Sequence, residues 1–200
     1  VASLANVWAT KLRVRELTDE EQARVDDALE VGQRWPVWLL RGPAISVTEM
    51  ARLVKLHRTQ HPFAVLMVDY LQLIPVAADP NVSEATVIGN ISGQLKRLAY
   101  DEQILVIVIS SRNRQAQYKQ SDLARLRGSG QLEFDADWVL TMSADADRED
   151  LETDSVVLRK IVVSKARHGR GRVVQLLAFD RPHQRLTPIG TVEGLAHVEH

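Results

Sequence analysis

Two apolar runs, residues 63–68 and 104–109, each end abruptly in polar residues, the first in Asp69 and the second in Ser110-Ser111. Between them Ile88, Ile91, Leu95 and Leu98 recur at helical spacing after Ser83. Short unbroken apolar runs are how strands covered on both faces read, and a helix between two of them is the crossover that a parallel pair requires. This places Asp69 and Ser110-Ser111 at the carboxyl ends of neighbouring strands, where open parallel sheets bind their ligands. Upstream, Thr18-Asp19-Glu20-Glu21 and Ser46-Val47-Thr48-Glu49 are capping boxes. The first opens a helix carrying Val25, Ala28 and Leu29 on one side, and the second leads Val47, Met50, Leu53 and Val54 toward a stop at His61-Pro62. Residues 37–40 read as a short strand between the two helices. Downstream, residues 138–142, 156–163 and 173–177 are strand candidates, the last two close enough to pair around His168-Gly169-Arg170-Gly171. The expected class is α/β: a mostly parallel sheet flanked by helices, finished by a C-terminal antiparallel hairpin.

With 45% apolar and 26% charged residues, a 200-residue chain can bury one core without disulfides, so residues 1–190 are expected to form one domain and 191–200 a flexible tail. The apolar runs are too short to cross a bilayer and the N-terminus lacks a secretion-signal pattern, so the chain reads as cytoplasmic. Cysteine is absent and the six histidines lack metal-ligand spacing, which excludes thiolate chemistry and disfavours a histidine metal site. The net charge of -1 conceals segregation. Arg112, Arg114, Lys119, Arg125 and Arg127 stand against Asp122 alone, and residues 159–172 carry six bases and no acid. Such segments are either solvated loops or a surface for a polyanion.

An aspartate closing an apolar strand fits two readings: the Walker B carboxylate that holds a nucleotide's magnesium ion, or a cap on the following turn. Glu133, Asp135 and Asp137 alternate ahead of a strand candidate and read as its polar start rather than a metal site. Trp8, Trp35, Trp38 and Trp138 lie outside the basic segments and read as packing residues, while His57, His61 and His168 read as surface or helix-end residues.

The string Val68-Asp69-Tyr70-Leu71-Gln72-Leu73-Ile74 closely resembles the Walker B segment of DnaB-type hexameric helicases. The resemblance continues in order. Ser121-Asp122-Leu123 and the run from Leu126-Arg127-Gly128-Ser129-Gly130 through Asp135-Ala136-Asp137 are similar to that family's SDLRESGAIEQDAD stretch. Ser164-Lys165-Ala166-Arg167-His168-Gly169 is similar to its GKQRNG segment, and Leu17-Thr18-Asp19 to an LTD helix start. Three motifs in one order and spacing are more specific than any one alone.

The resemblance implies a RecA-like P-loop NTPase core, truncated at its N-terminus, from an ATP- and Mg2+-dependent replicative DNA helicase. It implies Asp69 as the Walker B carboxylate and magnesium ligand. Arg125, Arg127, Gly128 and Gly130 would belong to a loop holding single-stranded DNA. Lys165 and Arg167 would act on the γ-phosphate of a neighbouring subunit's nucleotide, Arg167 as an arginine finger. A homo-hexamer is implied, with primase and a helicase loader as further partners. Ser111 stands where the family carries a γ-phosphate-sensing Gln, and Gly128 where it carries an acidic residue. The GxxxxGK[ST] loop and the family's catalytic Glu do not occur, the resemblance placing Val1 just after both, so the 200 residues alone are expected to be inactive. Two rivals stand beside this reading: another RecA-fold ATPase of RadA or KaiC type, and a non-enzymatic DNA-binding or partner-docking domain.

Overall fold

The computed structural model describes residues 1–40, 44–76, 82–111, 130–144, 152–169 and 173–193. They divide into two compact units, one drawn from residues 1–39, 140–163 and 169–200 and the other from 40–139 and 164–168. In the first unit, α1 (Ala2–Ala5) and α2 (Ala9–Val14) precede α3 (Asp19–Gln33). The capping box at Thr18 forms as expected: Thr18 Oγ1 accepts from the Glu21 N–H at 3.2 Å, and the Glu21 carboxylate accepts from the Thr18 N–H at 3.0 Å. Val25 and Ala28 pack with Ala5 and Val7, but Leu29, expected beside them, is exposed because one turn of α1 covers only part of that side.

Residues 37–40 form no strand. They are exposed and irregular, because a strand needs a partner for its ladder and no described segment offers one. The four tryptophans are also roughly half exposed rather than packed inside; Trp8, Trp35 and Trp138 stand at element ends and Trp38 in the irregular segment after α3. His57, His61 and His168 are exposed as expected.

The second unit holds the crossover. Helix α4 (Val47–Arg58) starts at Ser46, whose hydroxyl accepts from the Glu49 N–H at 3.2 Å. The second half of that box does not close, because the Glu49 carboxylate pairs with Arg52 at 2.7 Å. Strands β1 (Val65–Val68) and β2 (Leu105–Val108) pair in parallel, with Val65 opposite Leu105 and Val68 opposite Val108. They are joined through a 3-10 turn (Leu71–Leu73) and α5 (Glu84–Glu102). One core holds them together: Val47 from α4, Val68, Leu71 and Ile74 from β1 and its turn, and Ile88, Ile91 and Leu95 from α5. Both strands were expected to be covered on both faces. Only the face bearing Leu66, Val68, Val106 and Val108 packs on the helices, while Val65, Met67, Leu105 and Ile107 on the other are exposed.

Helix α6 (Gly130–Asp135) lies against α5. It replaces the polar strand start expected around Glu133 and Asp135, and β3 (Trp138–Ala144) begins only beyond Asp137. The remaining strands, β4 (Val156–Ala166), β5 (Val173–Asp180) and β6 (Arg185–Glu193), join β3 in a sheet of order β3-β4-β5-β6. The β4–β5 hairpin is antiparallel as expected. β6 is an addition: Thr191 to Glu193, expected in the flexible tail, pair with β5 through Val173 opposite Glu193.

Candidate functional site

The carboxyl ends of β1 and β2 are fastened together by the chain that follows β1. Leu71, fully buried, donates its N–H to the Ile109 carbonyl at 2.8 Å, and Ile109 donates to the Val68 carbonyl at 2.9 Å. The Gln72 side chain then bridges the other strand end: its Nε2 donates to Ser110 Oγ at 2.9 Å and its Oε1 accepts from the Ser111 N–H at 3.4 Å. Asp69 lies exposed on the surface beside this staple. Ser111 lies where the sequence placed it, exposed, with its main-chain N–H turned to Gln72. Gln72 was not singled out from sequence; its place three residues beyond the strand-closing aspartate was the available signal.

Among the described residues no cluster of three or more His, Cys, Asp or Glu could enclose a metal ion. Asp69 is an exposed carboxylate at a strand end, a donor of the kind that holds magnesium together with phosphates and water rather than in an all-protein cage. The residues present fit a nucleotide-borne cation on that chemical ground.

A second cluster forms around the end of α6. The last carbonyls of a helix have no partner within it and carry the negative end of its dipole, so cations gather there. Lys165 Nζ, at the end of β4, donates to the Glu133 carbonyl and lies 3.4 Å from that of Phe134. Arg167 Nη2 donates to the Phe134 carbonyl at 2.8 Å. Asp137 completes the cluster: its carboxylate binds Lys96 Nζ of α5, lies 3.3 Å from Arg167 Nη1, and its carbonyl accepts from the Arg167 N–H at 2.9 Å. The hydrogen bond from Lys96 is the main cause holding the Asp137 carboxyl below its ordinary value; partial burial opposes it, and the charges of Lys96, Arg167 and His168 assist.

The structure therefore brings Lys165 and Arg167 together with each other and with Asp137, and among the described residues no hydrogen bond or ion pair joins either to Asp69. Gly130 opens α6. Arg125, Arg127 and Gly128, expected with it on one loop, lie outside the described residues. Asp137 and Lys96 are the partners that sequence reasoning missed. They stand 41 positions apart, and only the seating of α6 on α5 brings them together.

Comparison with known proteins identifies the family. The replicative DNA helicase DnaC of Bacillus subtilis (strain 168) is 29% identical over 183 residues, covering 90% of this chain and 40% of that protein. The replicative DNA helicase DnaB of Buchnera aphidicola subsp. Baizongia pistaciae is 32% identical over 175 residues, covering 84% and 37%. The chain thus spans about two fifths of the length of these relatives. A solved ATPase domain matches with a TM-score of 0.82 at 26% identity, covering 94% of this chain and 68% of that one. A DnaB-like replicative helicase, solved in work on its interactions with primase, matches with a TM-score of 0.80 at 26% identity, covering 92% and 45%. The fold is thus the α/β fold of DnaB-like ATPase domains, and residues 1–187 match the DnaB-like helicase C terminal domain, the family to which this chain belongs.

Proposed function

We propose that this chain is the motor portion of a replicative DNA helicase that, as a whole protein, forms a hexamer, hydrolyses ATP at subunit boundaries and moves along single-stranded DNA. The observation that carries the reading is an exposed carboxylate, Asp69, at the carboxyl end of a parallel strand in a chain of this family. A magnesium ion held there with the nucleotide would supply positive charge that offsets the charge developing as the phosphoryl group leaves. Asp69 would hold that ion or its water, and the Gln72 staple would fix the two strand ends so that the carboxylate stays in place. Ser111, with a side chain shorter than Gln, would contact the γ-phosphate only at close range.

Lys165 and Arg167 would serve a neighbouring subunit's nucleotide, and Arg167 has the right chemistry for a finger. A planar guanidinium spreads its charge and donates in a fork that matches phosphate oxygens. Its intramolecular bonds use only part of that fork, and its side chain remains 39% exposed. Arg125 and Arg127 supply charge, and Gly128 and Gly130 permit close backbone approach, for a loop that grips DNA phosphates without reading bases. A primase, as in the DnaB-like relative solved in that context, and a helicase loader would be partners in the cytoplasm. Among the described residues no helix is long and apolar enough to cross a membrane.

The test uses the complete protein on a forked duplex. Asp69→Asn, which keeps shape and removes charge, should lower ATP hydrolysis and strand separation by at least about 100-fold while hexamers still assemble. Unimpaired unwinding by that variant would refute the magnesium-holding role.

A further inference from the structure

Asp137 lies where three segments meet. Its carboxylate ties Lys96 on α5 to Arg167 beyond β4, and its main chain both follows α6 and accepts from the Arg167 N–H. The carbonyl end of α6 is clasped a second time by Lys165 and by Arg167 itself. Charge-assisted bonds of this kind are short and direction-dependent, so α6 and the Arg167 guanidinium cannot shift independently by much without breaking several of them.

Two features describe how α6 sits against α5. Gly89 leaves room for it: a Cβ there would come within 3.1 Å of Gln131 Cβ and 3.2 Å of its Cγ. In addition, Asp135 Oδ2 is buried with no hydrogen-bond partner among the described residues, although Gln131 donates to Oδ1 of the same carboxylate at 2.9 Å. A buried oxygen without a partner costs free energy that an outward shift of α6, returning it to water, would recover. Coupling between distant ligands requires an element whose position both ligands bias.

We propose that Asp137 is a positioning residue that makes α6 and Arg167 one moving unit, so that DNA bound at the Gly130 end of α6 and nucleotide bound by Arg167 alter each other's affinity. This rests on the reading of Gly130 and Arg167 given above. A plain surface ion network is the competing account; it would change stability a little and leave the linkage between ligands untouched.

The experiment measures the affinity of the complete hexamer for a labelled oligothymidylate, with and without a non-hydrolysable ATP analogue, and takes the ratio. Linkage of ordinary size predicts a ratio of about tenfold in the unaltered protein. In Asp137→Asn the ratio should fall below about twofold, and Asp137→Glu, which keeps the charge, should retain about half of it or more. Lys96→Gln should lower the ratio in the same direction and serves if Asp137→Asn does not assemble. A ratio near one in the unaltered protein, or an unchanged ratio in the variants, overturns the inference. Failure of both variants to assemble also overturns it, by making the network structural. An Arg167→Ala hexamer run alongside separates the two levels. If it hydrolyses ATP normally, the finger reading falls; if hydrolysis is lost while Asp137→Asn keeps its linkage, only the inference falls.

Discussion

A carboxylate gripped by an ammonium group gives up its proton more readily than one in water, and Asp137 is in that state through Lys96. Its folded pKa lies below the unfolded value of about 3.9, so the folded form gains stability that is complete above pH 4 to 5 and is lost as pH falls through the folded pKa. The side chain is 47% exposed, which limits the contribution to within about 1 kcal/mol. Urea unfolding of Asp137→Asn beside the unaltered chain should therefore show a small cost at pH 7 that shrinks by about pH 2.5. An equal cost at both pH values would mean that the amide disturbs packing and that charge is irrelevant there. At this scale the sequence revealed only part of the site. Asp69 was legible because an acid that interrupts an apolar run must sit where a strand surfaces. Asp137 was not, because its meaning depends on Lys96, and nothing local reports a partner 41 residues away. Lys165 and Arg167 were legible as a pair, yet their hold on the carbonyl end of α6 was hidden, since α6 itself was read as the start of a strand.

The elements divide by how much of their stability is local. α5 was readable throughout, since all of Ile88, Ile91, Leu95 and Leu98 fall on its buried side and Ser83 caps it. β1 and β2 were readable as strands, but an apolar run records the chemistry of both faces and not which one a given set of helices covers. The segment 37–40 shows the converse: apolar residues alone make no strand where no ladder partner is at hand. β6 escaped notice because its stability comes from pairing with β5 rather than from its own sequence. The α5–α6 contact offers an element-scale test through two glycines one turn apart. Alanine in mid-helix is worth up to about 1 kcal/mol over glycine. At Gly93 a new Cβ would have only Asp135 Oδ2 near it, at 4.0 Å, so Gly93→Ala should gain most of that amount. At Gly89 the methyl would press on Gln131 Cβ, an atom that moves only with the backbone of α6, so Gly89→Ala should gain little or lose. Equal stabilisation of both variants in urea melts would show that α6 yields freely.

For the whole molecule the question is whether one subunit's Arg167 works on its neighbour's nucleotide. The chain binds Arg167 to its own Phe134 carbonyl and its own Asp137, which a structural role would explain equally well. A structural role predicts a loss of no more than about 1 kcal/mol of stability and little change in turnover. An arginine finger predicts a fall in hydrolysis of about 10³ to 10⁵, with assembly and nucleotide binding largely kept. Rate alone cannot say in which subunit the residue acts, so the decisive form is a mixture of two complete proteins. One carries Arg167→Ala with an intact phosphate loop, and the other keeps Arg167 but has its phosphate loop disabled. Neither alone should hydrolyse ATP. If Arg167 acts across the boundary, a mixed ring contains interfaces joining the first protein's intact loop to the second protein's Arg167, and those interfaces are whole. ATPase activity should then appear on mixing and peak at intermediate ratios. Rings shown by native mass spectrometry to be mixed, yet still inactive, would place Arg167's action within its own subunit, where the clasp on α6 would be its whole role.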